Sequence, residues 1–163
     1  MSRILVCGVM AVALVTGCVL VVQAAAEEPV SLIGTVVKWR YPDAEIGPSS
    51  MSDAATVAAD GNRTVPSSVL TTTMTTRDSV EKVVAFYREL LTRNAVNDKR
   101  LGIDAAVGRS VLFSDESEGR PFALHTILVN SANSSTTILI TRGKDEEVTH
   151  ITWKRYLAHD LGR

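Results

Sequence analysis

The chain has 163 residues and a formal net charge of −1, and it is 45% hydrophobic, 21% charged and 5% aromatic. That length holds one domain, and the proportions are globular, which excludes a disordered or collagenous chain. The near-neutral charge excludes a broad electrostatic grip on nucleic acid or on anionic lipid.

Arg3 is the only charge before Glu27, and residues 4–22 are uncharged and rich in Val, Leu and Ala. The run ends in Gln23-Ala24-Ala25-Ala26, followed by Glu27-Glu28. A basic start, an apolar stretch and small residues at −3 and −1 are the parts of a secretory signal peptide. This predicts cleavage after Ala26; cleavage after Ala24, with Val22 at −3, also satisfies the rule. Val15-Thr16-Gly17-Cys18 resembles the bacterial lipobox, in which the cysteine is lipidated and becomes residue one, so Cys18 is the candidate lipidation site. The Val-Leu-Val-Val after Cys18 stays apolar where a lipoprotein usually turns polar. As an uncleaved anchor, the run is close to the roughly 20 apolar residues that span a bilayer. Gly8, Gly17 and the alanines favour cleavage instead. All three readings place Arg3 inside and Glu27-Glu28 outside. The expectation is a single exported domain over residues 27–163, periplasmic or extracellular, touching a membrane only through the N-terminal segment.

Both cysteines, Cys7 and Cys18, precede residue 27. A chain cleaved after Ala26 therefore has no disulfide, thiolate nucleophile or zinc-thiolate site. It carries a net charge of −2, because Arg3 is the only charged residue removed. Its stability must come from its core, and a domain of this size buries roughly two-thirds of its unfolded surface.

Residues 31–40 read as a short helix capped by Ser31, with Leu32, Val36 and Trp39 on one face, or as a strand. Gly34 and the pair Val36-Val37 weaken the helix, and Tyr41-Pro42 ends either element. Residues 43–66 are small, polar and turn-prone, and read as a long loop or a loose hairpin. Residues 68–75 alternate as a half-buried strand with Leu70 and Met74 inward. Residues 78–93 give the clearest helix. Asp78 is its expected N-cap, Glu81 sits at the capping-box position, and Val80, Val83, Val84, Tyr87, Leu90 and Leu91 recur at helical spacing. The helix should end near Asn94, before the polar run 97–100. Strands are expected at 107–114, 121–130, 135–142 and 147–157, with short loops that favour antiparallel neighbours. The fold class predicted is α+β: an antiparallel sheet of about five strands, with one main amphipathic helix across one face and a short N-terminal helix.

Chemical motifs are few. His125 and His150 fall on expected strands and His159 in the tail, without metal-ligand spacing. Gly108-Arg109-Ser110 is not a nucleophile elbow. The acidic stretches 115–118 and 145–147 fall in expected turns without EF-hand spacing, as does Asp53 to Asn62. Lys154 and Arg155, adjacent on a strand, point to opposite faces and form no single basic patch. There is no phosphate loop or Rossmann fingerprint. The sequence thus assigns no catalytic, cofactor or metal residues and no nucleic-acid partner. Asn62-Arg63-Thr64 and Asn133-Ser134-Ser135 match a glycosylation acceptor, which matters only on a eukaryotic secretory route.

The stretch from Asp78 to Leu91, DSVEKVVAFYRELL, resembles a helix of small exported bacterial proteins of unknown function, in which an acidic cap and Glu-Lys precede Val-x-x-Phe-Tyr. Tyr41-Pro42-Asp43-Ala44 shares that character. The resemblance implies a bacterial envelope setting and carries no activity. Three functional expectations follow. The first is a non-enzymatic interaction domain with a protein partner in the cell envelope. The second is a module that binds a small molecule or lipid between helix and sheet, with 43–66 as a cover. The third is a hydrolase with a dispersed site using His125 or His150.

Overall fold

A computed structural model describes residues 31–92, 94–102 and 108–159. Cys18, Ala26 and the rest of the N-terminal segment lie outside the described residues. Helix α1 (Leu32–Trp39) is capped by the Ser31 hydroxyl, which accepts from the Gly34 amide at 3.0 Å. Strand β1 (Glu45–Asp53) follows, then a small hairpin of β2 (Thr56–Val57) and β3 (Arg63–Val65). Strand β4 (Ser67–Thr76) leads into helix α2 (Val80–Leu90) and helix α3 (Ala95–Leu101). Four strands complete the chain: β5 (Ser110–Asp115), β6 (Phe122–Asn130), β7 (Ser134–Gly143) and β8 (Thr149–Ala158).

The main sheet has six strands in the order β1-β4-β8-β7-β6-β5, and every pairing is antiparallel. The last strand, β8, inserts between β4 and β7, so β1 and β5 form the edges. The fold is α+β, with one strand more than expected in the main sheet. The additional strand is β1, where the sequence suggests a loop or loose hairpin. Its nine residues are all exposed, so no alternation of buried and exposed side chains marks it, and Gly47-Pro48 disguises it. The hairpin part of that expectation is met by β2 and β3. A third helix, α3, occupies the polar run after Asn94. The Asn94 side chain caps it by accepting from the Asn97 amide, and Gly102 closes it in the left-handed region.

The cap of α2 also differs from expectation. Ser79 is the N-cap, accepting from the Lys82 amide, while Asp78 bonds Lys82 Nζ at 2.8 Å and the Tyr41 hydroxyl at 2.7 Å. Alternation along the strands puts Leu70, Met74, Ile127, Ile138, Ile140, Ile151 and Trp153 on one face, each at most 1% exposed. The three helices cover that face with Val36, Trp39, Val83, Tyr87, Leu90 and Leu101. Trp39 and Trp153 meet at 6.3 Å between ring centroids, and the Tyr87 hydroxyl donates to the Trp39 carbonyl at 3.0 Å. Among the described residues, no helix packs on the opposite face. There Thr73, Thr152, Leu139, Thr126 and Ser114 form a row across five strands.

Candidate functional site

The three histidines do not come together. His125 is on the helix-covered face of β6, with Nε2 3.7 Å from Asp115 Oδ1. His150 is on the open face of β8, with Nε2 3.6 Å from Glu146 Oε1. His159 binds Ser68 Oγ at 2.8 Å, at the opposite end of β4 from the strand end that leads into α2. The sheet itself separates the two histidines of the dispersed-site reading. Among the described residues no three His, Cys, Asp or Glu side chains cluster as a metal site. The Ser117 hydroxyl, and then the Ser117 amide that donates to Asp115 Oδ1, hold the Asp115 carboxyl below the usual range. Asp53 is tied to the Ala55 amide and to Arg63. Lys154 is exposed on the open face, whereas Arg155 is buried on the covered one, as the strand alternation predicts.

Arg109 does not belong to a nucleophile elbow. Its guanidinium is buried, bonds the Leu91 carbonyl at 3.0 Å and lies 2.9 Å from Asp98 Oδ1. The contact with Asp98 is an ion pair without hydrogen-bond alignment. This pair joins α3 and the end of α2 to the start of β5.

The space between α2 and the sheet is filled by Val83, Tyr87, Trp153, Ile127 and Ile138, all fully buried. Among the described residues, hollows lie at its margin, two of them beside α2. A shallow groove of about 920 Å³ runs past the start of α2, bordered by Glu81, Arg120, Phe122, Arg142 and Lys144. Its guanidinium groups are already engaged: Arg120 Nε donates to the Glu116 carbonyl and Arg142 Nε to the Glu146 carbonyl. The Ser79 hydroxyl holds the Glu81 carboxyl below its ordinary range, so the helix start supplies its own acid. The second hollow is a recess of about 130 Å³ beside β5, lined by Val84, Arg88, Phe113, Asp115, His125 and Ile127. The Arg88 guanidinium stacks over Phe113 at 4.4 Å, beside this recess.

The two sheet edges differ. β1 carries Pro48, which has no amide hydrogen, and its register with β4 shifts between Ile46 and Ser49. Proline and a bulge are standard protections of an edge strand. The sequence of β5, SVLFSD, has neither proline nor glycine nor a lysine. The Glu116 amide bonds the Leu124 carbonyl in the ladder with β6. By the antiparallel alternation, Ser114, Leu112 and Ser110 then also face β6, while the backbone groups of Val111, Phe113 and Asp115 face away from it. These three residues form an unpaired hydrogen-bonding edge among the described residues. Leu112, on the open face beside it, is 59% exposed. Sequence reasoning finds β5 as a strand but not as an edge, because strand order depends on where β8 inserts, and no local pattern encodes that.

Compared with known proteins, the chain matches no family model and no curated protein.

Proposed function

We propose that this chain is an exported interaction domain that works in the cell envelope or outside the cell and binds an extended protein segment by strand addition to β5. One observation carries the reading: three N–H and three C=O groups of Val111, Phe113 and Asp115 face away from β6. Such a row is a template for another strand, and main-chain hydrogen bonds supply the affinity while flanking pockets supply specificity. The recess between α2 and β5 lies beside this edge and offers such a pocket. The export half of the reading is supported by the pattern from Arg3 to Glu28.

The test is a photo-crosslinking amino acid at Leu112, in the full chain expressed in its own host. Lys154, on the open face away from both edges, is the control position. Adducts at Leu112 and none at Lys154, each mapped to an extended segment of the captured protein, are expected. Equal capture at the two positions, or no adduct at Leu112, overturns strand addition. Fractionation of the same cells tests export: the chain should appear outside the cytoplasm, and its first residue should be Glu27 or an acylated Cys18.

A further inference from the structure

Resting on the strand-addition reading, we infer that the segment taken up at β5 is β5 of a second copy of this chain, paired antiparallel about a two-fold axis at Phe113. The three edge-facing residues are spaced evenly about Phe113. Antiparallel self-pairing then sets Phe113 against its counterpart and Val111 against Asp115 of the second copy, with the converse pair by symmetry. Each is a hydrogen-bonded pair that exchanges two bonds, so all the free edge groups of both copies are satisfied at once. An isologous contact requires such self-complementarity, and this register supplies it.

The charges agree with the same register. The acidic end of β5 holds Asp115, Glu116 and Glu118. The other end is anchored by the Arg109–Asp98 pair to α3, whose last turn carries the exposed Lys99 and Arg100. Self-pairing places Glu116 of one copy opposite Ser110 of the other, and so brings each acidic turn to the strand end that the Arg109–Asp98 pair fastens to α3. Asp115 of the second copy also becomes a diagonal neighbour of Phe113, roughly 7–8 Å away, on which Arg88 is stacked. Leu112 packs opposite Ser114 of the second copy. A six-residue strand is about 20 Å long, so the contact belongs to the small, reversible class of interfaces. The dimer should therefore form and dissociate readily.

The register gives a direct test. Leu112 and Ser114 of the second copy are an opposed, non-hydrogen-bonded pair, whose close Cα approach suits a disulfide. Full-length chains carrying Cys7→Ser and Cys18→Ser are made with either Leu112→Cys or Ser114→Cys, and are oxidised separately and as a mixture. Leu112 is exposed and Ser114 lies on the open face, so both variants should melt with the parent. The mixture should form the mixed disulfide about tenfold faster than either variant alone forms its own. Equal rates overturn the proposal. As a second reading, sedimentation equilibrium of the parent chain should show a reversible dimer that weakens about tenfold from roughly 50 to 500 mM salt. A monomer throughout overturns it. Photo-adducts at Leu112 with a different protein overturn self-pairing and leave strand addition standing. No adduct at Leu112 removes both.

Discussion

The Tyr41 hydroxyl donates to Asp78 Oδ2 at 2.7 Å and so fastens the chain after α1 to the residue just before the α2 cap. The other carboxylate oxygen takes Lys82 Nζ, while the Asp78 backbone carbonyl accepts from Thr149 Oγ1 at 2.7 Å. One aspartate therefore ties together the segment after α1, the first turn of α2 and the start of β8.

The Lys82 hydrogen bond, then that from Tyr41, holds the Asp78 carboxyl below its ordinary range. A carboxyl depressed in the native state stabilises the fold above its unfolded pKa, and that stabilisation is lost as pH falls through the native value. Asp78→Asn should therefore lower the melting temperature at pH 7 and flatten its fall between about pH 5 and pH 2. The flattening is partial, because Glu81 and Asp115 are also held low. Tyr41→Phe should raise the Asp78 titration midpoint, which NMR of the carboxyl carbon reads. Parallel melting curves for parent and Asp78→Asn across this range would contradict the assignment.

The Arg109–Asp98 pair makes a second prediction. The Arg109 side chain is 1% exposed, so removing Asp98 leaves a buried cation without its counter-charge. Asp98→Ala should cost about 3–5 kcal/mol, whereas the double change Asp98→Leu with Arg109→Met should recover most of that loss. Urea denaturation of Asp98→Leu, Arg109→Met and the double variant that combines them measures the coupling. A sum of single effects equal to the double effect would mean the pair does not act as a unit.

Elements whose side chains alternate or recur between core and solvent were legible in the sequence. Leu70 and Met74 pointed inward, the helix through Val83 and Tyr87 was clear, and Lys154 and Arg155 separated as expected. What escaped was the part without such a pattern. β1 is exposed along its whole length, and α3 is held by Asn94, Gly102 and a long-range ion pair rather than by an apolar stripe. The α2 cap is Ser79 rather than Asp78, whose carboxylate is taken up by Lys82 in the same helix and by Tyr41, a long-range contact that no local pattern shows. The candidate site was the least legible, because an edge is defined by the strand that is missing beside it.

The aromatic centre gives a third prediction. Tyr87 is fully buried, its pKa is raised by burial, and its hydroxyl bonds the Trp39 carbonyl. Tyr87→Phe strands that carbonyl and should cost about 1–3 kcal/mol. The indole nitrogen of Trp153 has no hydrogen-bond partner, so a smaller ring there loses packing alone. Trp153→Ala should cost about 3–5 kcal/mol, with Trp153→Phe clearly milder. Thermal melts at fixed pH check the order, and a Trp153→Phe variant as unstable as Trp153→Ala would show that the indole does more than fill space.

Arg155 should behave in the opposite way. It is 8% exposed on the covered face of β8, next to Leu70 and Thr136 in register, with Trp39 5.7 Å away. Its Nε has no hydrogen-bond partner, no carboxylate among the described residues pairs with it, and burial pushes its pKa down. The cation–π contact with Trp39 offsets about 0.5–2 kcal/mol of the desolvation cost, which for a buried ion is several kcal/mol. Arg155→Met keeps the aliphatic stem and removes the charge, so it should stabilise the fold by about 1 kcal/mol. Chemical denaturation reads the change directly. Destabilisation would instead mean that the guanidinium is satisfied in solution, and a phosphate titration that raises the melting temperature of the parent but not of Arg155→Met would identify an anion as what satisfies it.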